Sequence, residues 1–415
     1  MFEESYRDGR TLDAINGALL AGQADKALEL VESVGPLRLM ITYGIHPVQD
    51  ALGQFPPDML EHSLRSRMAF PFLYAKRGHF VEAREMIDAM VSELEASHDD
   101  DTAKSAAMLD AVFIRTKISA CRDRNWVDDQ EIAARAKCSR EPTFAAWNMI
   151  FSGMLNQHLG HLDQADSNFE EAEFFFKQIE ADYQLLHMKV HRTHVDLARG
   201  NLRHAARVMR EIKSTINAHY PSDTGFYAAA ELGRIEASLL QSPGSVQIEA
   251  VERALSNLEH ADSWFELLAS AYTSLCRCIA RDQDIAALMD ALDDAERALR
   301  RHGTSHVNGM IRVLKAYYLA REGHFREAGQ WVDLHSWKDD RDNSEFWRER
   351  HMKGLAHSRL LAARGDAHRA LQIAETLVRE SKADGRQPAL VEAQLNQAEL
   401  LFSLHRQENH ALGLI

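Results

Sequence analysis

Residues 147–209 read WNMIFSGMLNQHLGHLDQADSNFEEAEFFFKQIEADYQLLHMKVHRTHVDLARGNLRHAARVM. The stretch holds one pattern twice. Gly160 is followed by Ala165, Phe169 and Ala172; Gly200 is followed by Ala205 and Met209. Seven residues before each glycine stands a small residue, Gly153 or Thr193. Each copy reads as helix, tight turn, helix. The glycine takes the left-handed conformation just past the first helix, where a β-carbon would clash. The alanine sits where the two helices cross most closely.

The spacing extends in both directions. Gly22 with Ala27, Gly78 with Ala83, Gly323 with Ala328 and Gly365 with Ala370 repeat the five-residue step. The turn glycines fall near multiples of 41: Gly78 to Gly160 is 82, Gly160 to Gly200 is 40, Gly200 to Gly323 is 123, and Gly323 to Gly365 is 42. Gly22 to Gly78 is 56, so an irregular insert, Leu37–Met59, lies between them, with two short helical pieces broken by Gly44, Pro47, Pro56 and Pro57. A hairpin of this size cannot bury its apolar face alone, so neighbours must stack. The sequence therefore predicts an all-α, right-handed solenoid of tetratricopeptide-like hairpins, about nine or ten in number. Residues 1–60 form an N-terminal hairpin plus insert, and residues 61–415 the superhelix. Gly233 takes the place of Gly153 in its own unit. Turns without glycine are expected at Arg122–Asn125 and Arg281–Gln283, and a last turn at Arg406 with Ala411 behind it. The chain then stops inside a second helix, so it reads as a piece of a longer protein.

Composition narrows the function classes. The formal net charge of −14 disfavours bulk attraction to nucleic acid or anionic membranes. No apolar run of about 20 residues is present, and no signal peptide, so nothing spans a membrane. Cys121, Cys138, Cys276 and Cys278 show no disulfide framework; Cys276 and Cys278 point about 200° apart on a helix. Reduced thiols in a cytoplasmic protein are the simple reading.

Residues 11–35, TLDAINGALLAGQADKALELVESVG, resemble the opening of the helical region of MalT-like regulators, the large ATP-binding LuxR-family transcriptional regulators. The insert fits, with Tyr43-Gly44 and Leu52-Gly53-Gln54-Phe55-Pro56 ahead of a helix ending at Gly78. The resemblance is most specific over residues 11–90. It implies the sensing and coupling region of such a regulator. The ATPase would lie elsewhere, since no Gly-Lys dipeptide occurs here. DNA would be reached only through a separate helix-turn-helix. No inducer-binding residue carries over by motif.

In stacked hairpins the first helices line the concave face. Counting back about 13, 10, 6, 3 and 2 from each turn keeps to one helical face. It selects Arg65, Phe72, Lys76, Trp147, Gln157, His158, His187, His194, Tyr227, Arg234, Tyr317, Arg321 and Arg359. These are cations, histidines and aromatics without a carboxylate. Such a groove suits an anionic or sugar-like small-molecule inducer, or an acidic peptide; the bland alternative is ordinary half-buried groove side chains. Self-association is a further partner reading, and a stand-alone scaffold for acidic peptide segments is the rival function.

Other clusters are weaker. His187, His191 and His194 at i, i+4 and i+7 have spacing for Zn²⁺, but no fourth ligand is evident; the simpler expectation is that His187 and His194 face the groove. Phe174-Phe175-Phe176 reads as inter-repeat packing. Asp339, Asp340, Asp342 and Asn343 lack the glycine and glutamate of a calcium loop and read as a solvated loop leading to Ser344 as helix cap. No nucleophile elbow, metalloprotease motif or dinucleotide fingerprint occurs. No cofactor is implied, and no enzyme activity is expected.

Overall fold

The computed structural model describes residues 10–96, 101–122, 142–258, 264–281, 284–301, 307–333, 337 and 346–411. The expected turns at Arg122–Asn125 and Arg281–Gln283 fall largely outside these residues, as do the 339–344 loop and Cys138. The described residues form twenty-two α-helices and no strand.

The N-terminal hairpin is α1 (Thr11–Leu20) and α2 (Ala24–Val34). The insert follows as α3 (Pro36–Tyr43), α4 (Ile45–Leu52), α5 (Pro57–Glu61) and α6 (Leu64–Arg67). Gly44 separates α3 from α4, as expected. Pro47 breaks nothing, because it sits in the first turn of α4, where a missing N–H costs little. Hairpin helices then run α7 (Ala69–Lys76), α8 (Phe80–Ala96), α9 (Asp101–Arg122), α10 (Pro142–Leu159), α11 (Leu162–Gln178), α12 (Asp182–Arg199), α13 (Leu202–His219), α14 (Thr224–Gln241) and α15 (Ile248–Leu258). The remainder are α16 (Phe265–Arg281), α17 (Ile285–Arg301), α18 (Asn308–Arg321), α19 (Phe325–Ala328), α20 (Trp347–Ala363), α21 (Ala367–Ala383) and α22 (Gln387–Ala411).

The turns form as the spacing predicts. Gly200 has φ +83° and ψ 15°; its N–H donates to Leu197 O, and that of Asn201 to Asp196 O. The same pair of bonds recurs at Gly22, Gly78, Gly160, Gly323 and Gly365. It satisfies carbonyls that the helix end would otherwise leave open.

Burial separates the two helices of each hairpin. In α13 the buried side chains are Ala205, Ala206, Met209, Ile212 and Ile216, one stripe with solvent opposite. In α12 they include Tyr183, Leu186, His187, Val190, His191, His194 and Leu197, so most of the helix surface is covered and only a narrow stripe through Lys189 meets solvent. The reason is the tightness of the winding. α10 touches α16 and α20, and α12 touches α22, five hairpins further on. The first helices thus face one another across the axis, and the concave side becomes a core rather than an open groove.

Three further expectations need correction. The helix after Gly323 lasts one turn, Phe325–Ala328, and ends at Gly329; Trp331 then turns in against the buried Lys315, whose Nζ lies 4.1 Å from the ring centroid. No turn forms at Arg406, because α22 runs through to Ala411 without a glycine or proline to stop it. The last left-handed glycine is instead Gly385, φ +68°, between α21 and α22. Gly233 is close-packed, but against Met209 of the preceding hairpin, whereas Gly153 meets Phe169 of its own.

Candidate functional site

The tight winding gathers side chains from α7, α9, α10 and α12 around Trp264, which precedes α16. Lys76 ends α7; Lys117 and Cys121 lie one turn apart on α9; Trp147 comes from α10, and His187 and His191 from α12. They enclose a void of about 30 Å³. It abuts a larger cavity of about 140 Å³, and Lys76, His187 and Trp264 wall both. Across the larger cavity stand Phe226 of α14 and, from the insert, His46 and Gln49 of α4.

Aromatic packing fixes these walls. His187 stacks on Phe226 with centroids 3.8 Å apart and planes within 6°. His191 lies between Trp264, 4.4 Å away, and Phe169, 5.5 Å away. Phe113 bridges Phe72 and Trp147, and Lys76 and Lys117 each place Nζ 5.9 Å from the Phe72 centroid. Three buried polar atoms have no protein hydrogen-bond partner: Nε2 of His187, Nδ1 of His191 and Nε1 of Trp264.

The chamber is electrostatically uncomfortable. Burial, and then Lys117 beside it, hold the Lys76 ammonium well below its ordinary pKa; burial also lowers Lys117. Burial, Lys76 and His191 depress His187 well below the usual imidazole value. Burial pushes the Cys121 thiol up, against the pull of both lysines. Asp223, a carboxylate on the wall of the larger cavity, accepts from Tyr183 Oη and from the Phe226 N–H at 2.9 Å, where it caps α14. It is engaged at the start of that helix and favours the charge on Lys76 only as the second of two opposing charges, after Lys117. A small cavity with lysines and unpartnered N–H or imidazole groups at its wall is chemically disposed to hold an anion.

Of the residues selected from sequence, Phe72, Lys76, Trp147 and His187 meet here. His194 lies deeper, 1 % exposed, beyond Trp264. Gln157 and His158 are buried at the seam where the superhelix closes, His158 packing on Phe265 and Phe346. Arg65 is used structurally: it donates to Asp110 at 3.1 Å and to the Glu32 carbonyl, pinning α6 to α2 and α9. Tyr227 and Arg234 face α13 instead of the axis; Arg234 pairs with Glu231 at 2.7 Å, and Lys213 sits over Tyr227. Tyr317, Arg321 and Arg359 gather at the C-terminal end, where Arg359 reaches Glu399.

The inner face also carries carboxylates, contrary to expectation. Arg348 bridges Glu236 at 2.9 Å and Glu266 at 2.6 Å, and Arg277 meets Glu392 at 2.5 Å. Of the i, i+4, i+7 histidines, His187 stacks on Phe226 while His191 and His194 both pack on Trp264, and among the described residues no group of three metal-ligating side chains converges. The phenylalanine triplet divides: Phe176 is fully buried against Trp147, while Phe174 is 58 % exposed.

Lys117, Cys121 and Trp264 were not selected. The projection counts mainly from turn glycines and does not run back from the glycine-free turn expected at Arg122–Asn125. Counting from position 123 with the same offsets returns Asp110, Phe113, Lys117, Ala120 and Cys121, all buried in the structure. Trp264 belongs to no offset, since it precedes its helix.

No known family profile matches the chain, and no curated protein sequence matches it. Among solved structures it is similar to a Rap protein complexed with competence and sporulation factor, at 12 % identity over 83 % of this chain and 99 % of that one, with a TM-score of 0.49. The tetratricopeptide-like architecture rests on the helices, turns and winding described above.

Proposed function

We propose that this chain is a ligand-sensing helical-repeat module that takes an anionic group into the chamber around Lys76. The observation that supports it most is the joint wall of the 140 Å³ cavity: Lys76, with His187 Nε2 and Trp264 Nε1 lacking protein partners and Lys117 close behind. The volume is below the roughly 300–1,000 Å³ of drug-sized sites, so the bound part is small: a phosphate, a short carboxylic acid, or one acidic end of something larger. The insert closes the cavity through α4, so occupancy would tie the N-terminal region to the superhelix. In the setting suggested by residues 11–90, this would be the sensor region of a MalT-like regulator, acting on ATPase and DNA-reading parts outside this chain. No chemical step is assigned to it.

Calorimetric titration with inorganic phosphate, succinate and citrate tests the reading. Binding of at least one is expected, weakened about tenfold or more by Lys76→Met, the loss of one charge-assisted contact. Absence of binding across the panel, or unchanged affinity in Lys76→Met, would refute it.

A second reading, a scaffold for acidic peptide segments, is favoured by one feature. A groove of about 1,040 Å³ runs between α3 and the α12–α13 hairpin, with Arg10, Arg38, Lys189, Tyr43 and Tyr220 on its walls and Glu180 and Asp182 at one side. Peptide capture there would respond to Arg38→Ala and Lys189→Ala and not to Lys76→Met.

A further inference from the structure

Helix α22 is amphipathic in an inverted sense. Its inward face is mostly small or polar and buries one large apolar side chain: Ala389, Ala393, Asn396 and Leu400 are buried, with Asn396 donating to Ser358 Oγ at 2.9 Å. Glu392 meets Arg277, and Glu399 meets Arg359. These contacts fix which face looks out. The outward face carries the large apolar side chains: Val391 is 52 % exposed, Leu395 60 %, Leu401 50 % and Phe402 69 %. Val391, Leu395, Ala398 and Phe402 fall at i, i+4, i+7 and i+11, one continuous stripe.

We infer that this stripe is the interface through which two copies of the chain associate, α22 against α22 about a two-fold axis. Two properties select a second copy. The first is charge. The chain carries −14, so most of its surface repels another copy, yet the stripe is flanked by Gln394, Gln397 and Ser403, and its nearest carboxylate, Glu399, is already paired with Arg359. The second is area. The exposed side chains present on the order of 400–500 Å², the size of the largest patch on a typical monomer. Two such faces with their flanks would bury roughly 1,000–1,200 Å², the lower limit for a specific interface. An antiparallel arrangement is self-complementary, placing the Phe402 end of one stripe on the Val391 end of the other. An interface of this size predicts a reversible dimer, not an obligate one.

Sedimentation velocity of the full chain over about 1–200 µM tests this. The expected result is a sedimentation coefficient that rises with concentration towards that of a dimer. Leu395→Glu with Phe402→Glu should remain monomeric at every concentration, with an unchanged circular-dichroism melting temperature because both side chains face out. Val391→Lys, at the far end of the stripe, should weaken the dimer separately. A wild-type chain that stays monomeric throughout would overturn the proposal, as would a dimer that survives the double substitution.

Discussion

His194 shows how a single side chain records the closure of the superhelix. It lies 1 % exposed beside Trp264, Glu236 and Arg348, and burial drives its pKa down to about 4. An unfolded chain would bind a proton there near pH 6.5. Between about 6.5 and 4 the unfolded state therefore holds more protons, and stability falls as pH falls through that window. The full effect is roughly 3 kcal/mol. His187 and His191 act in the same direction, since burial depresses both. Glu266 opposes them, because burial raises its pKa. Glu392 enters only below the ordinary carboxylate range, as Arg277 and His351 hold it near 2 despite burial. Melting temperature should thus drop from pH 7 to pH 4.5, and His194→Gln should flatten the slope. A flat profile for the wild type would contradict the burial argument. The sequence placed His187 and His194 on the inner face, but showed neither the carboxylates Glu236, Glu266 and Glu392 there nor that the face would be covered. Short-range spacing reports which side of a helix a histidine occupies. Whether that side meets solvent depends on residues five hairpins away.

At the scale of the element, the hairpin was legible because its geometry rests on few residues. Gly153 is where α10 and α11 come closest: a β-carbon there would lie 2.4 Å from the Phe169 ring, which is fully buried and has nowhere to move. Gly153→Ala should cost about 1–3 kcal/mol, measurable as a lowered urea midpoint with unchanged slope. Phe169→Leu in the same chain should recover part of it by making room. No recovery would mean that the cost arises elsewhere. Elements without such a marker were read less well. The turn expected after α9 has no glycine to count back from, so Lys117 and Cys121 escaped notice. Gly323, Phe325 and Ala328 match the pattern of a full second helix, but Gly329 ends α19 after one turn. At Arg406 the period demanded a turn that the local sequence, rich in helix formers, does not make.

At the scale of the molecule, a tightly wound solenoid replaces an open groove with a sealed, charged interior. The Glu236–Arg348–Glu266 bridge joins α14, α16 and α20, with Ser270 Oγ donating to Glu236 at 2.5 Å. Removing the arginine strands two buried carboxylates. Arg348→Met should cost about 3–5 kcal/mol, and adding Glu236→Gln and Glu266→Gln should restore much of it; a small loss in the single variant would show that the seam is wetter than the structure indicates. The basic chamber adjoins this bridge through Trp264: His194, beside Glu236 and Arg348, packs on that ring, the ring also walls the chamber, and Lys76 lines the cavity that α4 closes. That arrangement leads to the central claim, that an anion belongs beside Lys76. Burial and Lys117 keep the lysine pKa low, so an anion bound there must raise it and draw in a proton. The direct test is titration calorimetry of the binding anion at a series of pH values between about 6 and 10, each in two buffers of different ionisation enthalpy. Net proton uptake is predicted for the wild type, with affinity falling as pH rises, and the uptake should vanish in Lys76→Met. Binding without proton uptake, or uptake that persists without Lys76, would contradict the account.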